Sequence, residues 1–462
     1  MINLNNIPKN LENRRVTVLG AGCSGVSASL LLARKRAKVL LSDAANVALS
    51  KQTLSKLEAY GIELELGGHS SKVYNANLVI ISPGIPNTTP VVNKLESAGI
   101  PIVSELEMAY WFSQPSEIIA ITGSNGKTTT TTIIFEMFKN TQYEPYCGGN
   151  IGIPFSKLIF ETEESSIKNK IYILEVSSFQ LERIVHFRPK ASIILNISRD
   201  HMDRYDDVPS YFTAKMEITK NQKKVDFFIY NNDDTLIKQN VPDKCQNIPF
   251  GIYSDSKNIV NVDTNSIYLH NGQKLIDRSE LLILGEHNLY NILAAFTVAI
   301  KFKISVNHLR NVLKHFKGIE HRLEYITSIN DVDYYNDSKA TNVDSVIYAL
   351  KSFQKPVIII LGGKDKDLDF SLLIPAIKGH VKEAILIGLS APKIRKVLDG
   401  IILLHDASSL EEATLMANKL SNPGEIVLLS PACASFDMFD NFEHRGKVFK
   451  ETVLSLAQGK IE

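Results

Sequence analysis

Hydrophobic and polar positions follow one another in blocks along the chain: short apolar runs, then polar loops that contain glycine, then helix-forming stretches. In the first hundred residues the apolar runs lie at Arg15–Leu19, Val39–Asp43, Leu78–Ser82 and near Ile102, and an Ala/Leu-rich stretch reaches to about Arg36. Strands that alternate with helices in this way are typical of a parallel sheet built from βαβ units. We therefore predict a Rossmann-like first domain over residues 1–104.

The middle of the chain begins with the same alternation and then changes. Apolar runs at 118–121, 171–176 and 191–195 predict further parallel strands. From about Phe227 to Leu284 the runs are short and interrupted by Asn, Asp and Gly, which predicts small antiparallel strands. A helix from His287 to about Lys303 precedes a boundary near Gly318, so that the central domain covers residues 105–318.

A third set of blocks fills the rest of the chain, with apolar runs at 334–336, 357–361, 384–387 and 426–429. They predict a second Rossmann-like sheet over residues 319–462. Polar loops follow these runs at 336–342, 362–367 and 430–437. Such loops would lie at the carboxyl edge of the sheet, where ligands bind, although most charged loops are simply solvated. Lys366 and Ser435 are the candidates there for binding a carboxylate.

One loop in the central domain has the composition of a phosphate-binding loop. The run Ile118–Ile121 ends in a loop with Gly123 and Gly126, and Lys127 and Thr128 then open a Thr-rich helix. Glycines let backbone N–H groups converge on a phosphate chain, the lysine reaches the terminal phosphates and the threonine hydroxyl can bind Mg²⁺. The full pattern requires a further glycine where this chain has Ile121, so a glycine-rich turn with a surface lysine is the alternative. We favour a nucleoside triphosphate site.

The fold class that follows is α/β with three domains. It comprises a Rossmann-like N-terminal sheet, a central P-loop-type ATPase sheet accompanied by a small antiparallel sheet, and a C-terminal Rossmann-like sheet.

Composition narrows the classes of function. The 462 residues have a net charge of +1, with 44% hydrophobic and 22% charged residues, as in an ordinary soluble globular protein. This charge balance favours neither nucleic acid nor a membrane surface as a partner. The apolar run Val16–Leu19 is too short for a signal peptide or a membrane span, so we expect a cytoplasmic protein. The four widely spaced cysteines predict reduced, buried thiols rather than disulfides or a zinc site: Cys23, Cys147, Cys245 and Cys433.

The first domain carries a second nucleotide motif. Gly20 to Gly25 has the spacing Gly-x-Gly-x-x-Gly after a strand, and Asp43 ends the next strand 18 residues beyond the last glycine. This arrangement places a diphosphate at a helix N-terminus and a ribose near the acid. It predicts a nucleotide without saying which one. Ser82-Pro-Gly84 ends a third strand at the same edge.

Two acidic or basic groups near the phosphate loop are candidate metal ligands. Glu175 ends a strand, which is where a Mg²⁺-binding carboxylate belongs in such sheets. His201 lies in the segment after the following strand, and the residues alone leave a metal ligand and a structural histidine equally open.

Taken together, these motifs resemble those of the Mur ligase family, and the resemblance covers essentially the whole chain. The segments that carry it are Gly123–Thr128, Gly149–Gly152, Glu175–Gln180, Asp200–Arg204, His287-Asn288 with Asn291, His321-Arg322, Asn336–Thr341 and Ser430–Asp437. The middle motifs are shared with folylpolyglutamate synthetase. The last two, with Asn441–Gly446, are similar to those of family members that add D-glutamate.

The resemblance implies an ATP-dependent carboxylate–amine ligase of peptidoglycan precursor synthesis. ATP would phosphorylate the carboxylate of UDP-N-acetylmuramoyl-L-alanine, and the amine of D-glutamate would displace the phosphate from the acyl phosphate. Two Mg²⁺ ions would neutralise the meeting anions. Thr128 and Glu175 would hold the first, and Glu175, His201 and a carbamylated Lys215 the second. We also expect a monomer.

The resemblance further carries individual binding residues over to this chain. ATP would be bound by Gly123, Ser124, Asn125, Gly126, Lys127, Thr128 and Thr129, and by Asn291, Arg322 and Asp337. The UDP substrate would be bound by Gly22, Cys23, Ser24, Asp43, Gly84 and Asn150. D-Glutamate would be bound by Thr341, Lys366, Ser435, Phe436 and Phe442. The catalytic groups would be Lys127, His201, carbamylated Lys215 and Lys339.

Two departures from the family pattern bear on this assignment. Cys23-Ser24 in the first-domain loop can shift individual contacts, and the loop Lys364–Asp367 is more charged than the usual glycine-containing version. The alternatives are a Mur-type or folylpolyglutamate-type ligase with another amino-acid substrate, an NAD-dependent oxidoreductase fused to an ATPase, and a nucleotide-sensing module. The first domain lacks the His/Arg or Tyr/Lys set of a hydride-transfer site, which argues against the oxidoreductase.

Overall fold

A computed structural model describes residues 2–8, 10–113, 115–165, 167–200, 204–253, 255–283, 285–365 and 368–460. The chain divides into two compact units. One holds the chain up to Ser279 together with Tyr290–Leu313, and the other holds Glu280–Leu289 together with the chain from Lys314 onward.

The first sheet of unit 1 has five parallel strands in the order β3-β2-β1-β4-β5. Its strands are β1 Arg15–Leu19, β2 Lys38–Asp43, β3 Glu63–Leu66, β4 Leu78–Ile81 and β5 Ile102–Ser104. The helices that accompany them are α1 Cys23–Arg34, α2 Lys51–Ala59 and α3 Pro90–Ser97, and α4 Glu105–Trp111 follows directly. The order reverses between β1 and β4, so the loops after these strands border the crevice in which doubly wound sheets bind ligands.

The central sheet of unit 1 has six parallel strands in the order β11-β10-β9-β6-β8-β7. Its strands are β6 Glu117–Thr122, β7 Glu144–Gly149, β8 Lys170–Glu175, β9 Ala191–Ile194, β10 Phe227–Asn231 and β11 Gln246–Phe250. Its helices are α5 Lys127–Phe138, α6 Phe155–Thr162, α7 Ser178–Leu181, α8 Val208–Met216 and α9 Thr235–Gln239. The prediction of antiparallel strands from Phe227 is wrong for β10 and β11, which extend the parallel sheet.

A small antiparallel sheet follows β11 in unit 1. Antiparallel strands were predicted for this part of the chain. The sheet consists of β12 Val260–Val262, β13 Ser266–Leu269 and β14 Lys274–Asp277. Two helices follow in the chain, α10 Glu286–Lys301 and α11 Val306–His315.

Unit 2 contains a mixed six-stranded sheet in the order β15-β16-β20-β17-β18-β19, in which only the β15–β16 pair is antiparallel. Its strands are β15 Glu324–Ile329, β16 Val332–Asn336, β17 Val357–Gly362, β18 Val381–Ile387, β19 Leu403–Asp406 and β20 Ile426–Leu429. Its helices are α12 Val343–Lys351, α13 Ile374–His380, α14 Ala391–Leu398, α15 Leu410–Leu420 and α16 Phe442–Ala457.

The strands predicted from continuous apolar runs are the buried ones. All six residues of β17 are buried, as are five of the six in β6 and in β8. Burial on both faces explains why these strands lack a polar alternation. The four cysteines are free thiols as expected, and Cys245 and Cys433 are buried. Cys147 is only partly buried and Cys23 is exposed, so the prediction of a buried thiol is wrong for Cys23. Within the described ranges, no helix combines the length and apolar character that a membrane span requires.

Candidate active site

The loop between β6 and α5 has the shape of a phosphate-binding loop. Gly126 caps α5 with a φ of +83°, a backbone conformation that side chains disfavour. A Cβ atom at this position would also lie 2.2 Å from Asn291 Oδ1 on α10, so a side chain here would have to displace that amide. Asn291 Oδ1 in turn accepts a hydrogen bond of 3.2 Å from the Thr130 hydroxyl. Two residues predicted to bind the nucleotide, Gly126 and Asn291, thus lie against each other.

Asn196, at the end of β9, holds the loop in place. Its side chain accepts from the backbone N–H of Asn125 at 2.8 Å and donates to the Asn125 carbonyl at 3.1 Å. The Ser124 hydroxyl accepts from the Ser198 backbone N–H at 2.9 Å. The chain is therefore anchored to the phosphate loop at Ser198, three residues before His201 in the sequence. His201 itself lies outside the described residues.

Lys127 Nζ donates to the carbonyl oxygens of Gly123 and Ser124, both at 2.8 Å. An ammonium group folded over its own loop lies where the phosphates of a nucleotide would approach.

Glu175 is the acidic centre of the site. Its Oε2 accepts a hydrogen bond of 2.8 Å from the Thr128 hydroxyl, and its Oε1 accepts one of 3.1 Å from Asn150 Nδ2. The side chain is 3% exposed. The carboxylate and the threonine hydroxyl are oxygen ligands of the type that Mg²⁺ prefers, and they lie beside the lysine of the phosphate loop. The predicted first metal pair is thus brought together.

Lys215 on α8 is buried in the same region, with 1% of its surface exposed. Its Nζ donates to the Gly123 carbonyl at 3.0 Å and lies 4.3 Å from the centre of the Tyr211 ring. Burial, and then the neighbouring charge of Lys127, hold the pKa of Lys215 well below its usual value, although Asp200 and Glu175 act in the opposite direction. Lys215 is therefore not a lysine of the helix surface.

The edge of the first sheet presents the other nucleotide motif. Gly22 caps α1, where Cys23 is exposed and Ser24 partly buried. Asp43 Oδ2 accepts from the backbone N–H of Ala21 at 2.7 Å, and Oδ1 accepts from that of Ala45 at 2.9 Å. Asp43 therefore holds the loop after β1 and the loop after β2 in place through its two carboxylate oxygens.

A cleft of about 570 Å³ opens beside this edge, between α1, α2 and α6. Gly22 and Cys23 line one side of it, and Gly152 and Pro154 line another. Asn150 precedes Gly152 in the chain, and its backbone N–H donates to the Glu175 carbonyl at 2.8 Å. Of the predicted UDP-substrate residues, Gly22 and Cys23 line this cleft, and Asn150 lies two residues before its lining residue Gly152. Gly84, after β4, is exposed.

In unit 2, Asp337 follows β16 at the carboxyl edge of the sheet. Its Oδ2 accepts from the Ser430 hydroxyl at 2.8 Å and its Oδ1 from the Leu323 backbone N–H at 3.3 Å. Burial raises its pKa to about 7, against the hydrogen bond from Ser430 and the charge of Arg322. Arg322 Nε is buried and has no hydrogen-bond partner within the described part of the chain. A polyphosphate would supply the acceptor that Arg322 lacks.

The described residues predicted for D-glutamate lie after the neighbouring strands β16 and β20, or at the start of α16. Thr341 is partly buried, Ser435 is 2% exposed and Phe436 is 66% exposed. Phe442 opens α16, and Lys339 Nζ lies 5.5 Å from the centre of its ring. Lys366 lies outside the described residues.

Arg445 on α16 is a buried residue that the sequence pattern did not single out. It is 1% exposed and donates to the Ser338 hydroxyl at 3.0 Å and to the carbonyls of Ser338 and Cys433 at 2.8 and 3.0 Å. Its position inside the segment Asn441–Gly446 was the available signal. The Arg445 side chain thus links the loop after β16 to the loop after β20. The sequence pattern also did not single out Asn196, although this residue directly follows a predicted strand.

Family profiles match three parts of the chain. They describe a MurD-like N-terminal domain over residues 14–104, a Mur ligase middle domain over 121–299 and a Mur ligase glutamate ligase domain over 321–433. The UDP-N-acetylmuramoylalanine--D-glutamate ligase of Chloroherpeton thalassium is 41% identical over 96% of this chain and 99% of its own length. The chain belongs to the Mur ligase family. The enzyme of the same name from Pelotomaculum thermopropionicum is 42% identical over 98% of this chain and 100% of its own.

Solved Mur ligase structures share the fold. The UDP-N-acetylmuramate-alanine ligase MurC of Thermotoga maritima matches with a TM-score of 0.60 at 19% identity, over 96% of this chain and 100% of its own. The MurF ligase of Thermotoga maritima in complex with ADP matches with a TM-score of 0.61 at 17% identity, over 98% of this chain and 97% of its own. The predicted three-domain α/β architecture is confirmed.

Proposed function

We propose that this chain joins D-glutamate to UDP-N-acetylmuramoyl-L-alanine with ATP, as the names of its relatives at about 40% identity indicate. The observation that carries the proposal is the contact of Thr128 with Glu175 beside Lys127, because it provides a metal-binding pair at a phosphate loop. We assign the UDP substrate mainly to residues 1–104, ATP mainly to 105–318 and D-glutamate mainly to 319–462, in a monomeric cytoplasmic enzyme of peptidoglycan precursor synthesis.

The residues present fit ATP and Mg²⁺. The hydroxyls of Thr129 and Thr131 are buried on α5 without a hydrogen-bond partner in the described ranges, and so is Arg322 Nε in unit 2. Polar atoms of this kind need a partner, which a bound nucleotide or its hydration would supply. Thr128 and Glu175 would hold one Mg²⁺, and Glu175, His201 and Lys215 a second. The ions would lower the repulsion between the carboxylate substrate and the γ-phosphate.

The protein groups would then position the reactants. Lys127 would turn from its loop carbonyls to the phosphates and stabilise the charge that develops during transfer to the substrate carboxylate. The acyl phosphate formed from the substrate would be attacked by the D-glutamate amine, and Lys339 would help to hold the phosphate that leaves. Asn291, Arg322 and Asp337 would bind the rest of ATP.

Lys215 is suited to carbamylation. Its amine is buried against the Tyr211 ring, and its lowered pKa favours the neutral, nucleophilic amine that reacts with CO₂. The amine nitrogen would bond to the carbon of CO₂ and lose a proton, which leaves a carbamate. The modification places an anion beside the metal pair, where the ammonium form of the lysine would be repelled by the ions.

The UDP substrate would lie at the carboxyl edge of the first sheet, and D-glutamate would lie at the carboxyl edge of the sheet in unit 2. Gly22, Cys23 and Ser24 would bind the diphosphate at the N-terminus of α1, with Asp43, Gly84 and Asn150 along the rest of the UDP substrate. Thr341, Ser435, Phe436 and Phe442 would surround D-glutamate, and Lys366 would pair with its side-chain carboxylate.

Phosphate release tests this function directly. Purified protein with ATP, Mg²⁺, bicarbonate and UDP-N-acetylmuramoyl-L-alanine should release phosphate when D-glutamate is added. It should not do so with L-glutamate, L-alanine, lysine or diaminopimelate. Turnover with one of these instead would keep the ligase chemistry and overturn the assignment of Lys366 and Ser435. Absence of turnover with every amino acid would contradict the proposed function.

A further inference from the structure

Glu182 follows helix α7 and joins separate parts of unit 1 through its carboxylate. Its Oε2 accepts hydrogen bonds from Asn87 Nδ2 at 2.6 Å and from Arg204 Nη2 at 3.0 Å. Its Oε1 accepts one of 2.5 Å from the Tyr205 hydroxyl. Only 15% of the Glu182 side chain and 14% of the Arg204 side chain are exposed. Hydrogen bonds to a charged group are the stronger ones, and shielding from water strengthens them further, so this carboxylate holds its three partners in place.

One arm of the network reaches the loop after β4. The Asn87 carbonyl oxygen accepts from Arg183 Nε at 2.9 Å, so the amide turns its NH₂ group towards the carboxylate. Arg204 also contacts this loop directly, because its Nη1 donates to the Pro83 carbonyl at 3.0 Å. Pro83 precedes Gly84, which we assign to the UDP substrate. The network therefore determines where this part of the proposed substrate site lies.

The other arm reaches the segment after β9. Arg204 lies three residues after His201 in the sequence, and Ser198 lies three residues before it. The Ser198 backbone N–H donates to the Ser124 hydroxyl of the phosphate loop. Three residues of chain span at most about 11 Å, so the two anchored residues confine the position of His201 from both sides.

Aromatic rings continue this second arm to Lys215. The centres of the Tyr205 and Tyr211 rings are 5.3 Å apart, and Lys215 Nζ lies 4.3 Å from the centre of the Tyr211 ring. Phe179 supports the arrangement, since its ring stacks on Tyr205 at 5.9 Å and lies 4.0 Å from the Arg204 guanidinium. The placement of Tyr205 thus affects the surroundings of a second residue proposed for the metal site.

We propose that Glu182 is a positioning residue of the ligase reaction, which holds the loop that binds the UDP substrate at a fixed distance from the segment that carries His201. The inference rests on the proposed function, because it takes a UDP substrate at Gly84 and a metal ion at His201 as given. Glu182 acts through Asn87 on one side and through Arg204 and the neighbouring tyrosine on the other. A misplacement of about 1 Å between reacting groups costs about 100-fold in rate, which is why two loops from different sheets need a common anchor.

Glu182→Ala tests the proposal by removing the shared acceptor. Equilibrium binding of UDP-N-acetylmuramoyl-L-alanine, without ATP and Mg²⁺, should weaken about 10-fold, as for the loss of one hydrogen bond to a charged group. The Mg²⁺ concentration for half-maximal phosphate release should rise about 10-fold as well. The KM for D-glutamate should stay within about 2-fold, because the residues proposed to bind it belong to unit 2. Glu144→Ala, at the exposed start of β7, is the matched control and should change none of these values.

Two further variants each remove one arm and leave the carboxylate in place. Asn87→Ala should weaken binding of the UDP substrate about 3-fold without changing the Mg²⁺ requirement, and Tyr205→Phe should raise the Mg²⁺ requirement about 3-fold without changing that binding. Asn87→Ala combined with Glu182→Ala should bind the UDP substrate no more weakly than Glu182→Ala alone, because Asn87 acts through Glu182. A purely structural role would lower the thermal midpoint of the variants without this division.

The inference is overturned if Glu182→Ala binds the UDP substrate and requires Mg²⁺ as the unaltered protein does. It is also overturned if Asn87→Ala and Tyr205→Phe change both quantities equally, since the two arms would then not act separately. Absence of phosphate release by the unaltered protein with every amino acid would instead overturn the proposed function.

Discussion

The Thr128 hydroxyl donates a hydrogen bond of 2.8 Å to Glu175 Oε2, and this contact joins the first turn of α5 to the end of β8. Asn150 Nδ2 lies 3.1 Å from the other carboxylate oxygen. The two sequence motifs are 47 residues apart, and parallel strand pairing brings them to one edge of the central sheet. A metal site at this edge depends on the charge of Glu175.

Glu175→Gln should therefore abolish most of the activity while the protein stays folded. The amide can still accept from Thr128, but it has lost the negative charge that binds Mg²⁺. We expect kcat to fall by at least about 100-fold and the Mg²⁺ concentration for half-maximal rate to rise by about 10-fold or more. Phosphate release measured across a Mg²⁺ titration checks this. Glu411→Gln, at an exposed position of α15, is the matched control. An unchanged Mg²⁺ requirement in Glu175→Gln would remove this residue from the metal site.

Lys215→Gln should be equally inactive, because the glutamine cannot form a carbamate. The unaltered enzyme should lose activity in CO₂-free buffer and regain it with bicarbonate, and the peptide that contains Lys215 should carry the mass of one CO₂ under mild conditions. Lys220→Gln, at an exposed lysine five residues further on, should retain full activity. Activity of Lys215→Gln within about 3-fold of the unaltered enzyme would contradict the proposed role, since loss of a metal ligand costs far more.

Much of this site could be predicted because its residues stand where buried strands end. Lys127, Thr128 and Glu175 each follow a continuous apolar run, and their contact follows from the parallel pairing of β6 with β8. Strands without such runs were not predicted. β15 has no fully buried residue, and β19 is a short edge strand with exposed ends, so neither shows a buried strand's pattern.

Other features depend on contacts between residues that are distant in the sequence. The parallel pairing of β10 with β9 is not visible in the local pattern of short apolar runs, which also suits antiparallel strands. Asp43 was predicted to face the nucleotide, but nothing in its position after β2 reveals the hydrogen bonds to Ala21 and Ala45. The burial of Lys215 is of the same kind, since helix α8 has a weakly patterned sequence.

Gly126→Ala tests the packing of the phosphate loop against α10. The added Cβ would lie 2.2 Å from Asn291 Oδ1 at a residue with a φ of +83°, so steric overlap adds to backbone strain. We expect a loss of stability of about 2–4 kcal/mol and a rise in the KM for ATP. Gly61→Ala has a similar φ of +65° with nothing within 4 Å of the added atom, and it should cost only about 1 kcal/mol without affecting KM. Thermal unfolding and ATP kinetics of both variants check this. Equal losses of stability in the two variants would show that backbone strain alone, without steric overlap, causes the effect.

Glu107 on α4 is the acceptor that fastens this helix to the segment before β9. Its two oxygens accept from the backbone N–H groups of Val185, His186 and Phe187 at 2.8–3.0 Å and from Trp111 Nε1 at 2.7 Å. Glu107→Gln places an amide NH₂ where donors already converge, so at least one buried N–H group loses its acceptor. We expect a destabilisation of about 3 kcal/mol.

The matched control for this prediction is Glu96→Gln, which removes the charge from a half-exposed pair with Arg183 and should cost less than about 1 kcal/mol. Denaturant unfolding of the two variants measures the difference. If Glu107→Gln were as stable as Glu96→Gln, the four hydrogen bonds would contribute little to the attachment of α4.

His287, in the first turn of α10, makes part of the stability of unit 2 dependent on pH. Burial, and then the charge of Arg322, lower its pKa to about 4. Between about pH 6.5 and pH 4 the unfolded chain binds a proton at this side chain that the folded chain does not bind. The contribution of the neutral histidine is therefore present above pH 6.5 and is lost as the pH falls through this window, by about 3 kcal/mol in total.

Glutamine at this position cannot take up that proton. Relative to the unaltered protein, the thermal midpoint of His287→Gln should thus improve as the pH is lowered from 7 to 4.5, whereas that of His270→Gln should follow the unaltered protein. A constant difference between His287→Gln and the unaltered protein across this range would show that His287 does not couple folding to proton uptake.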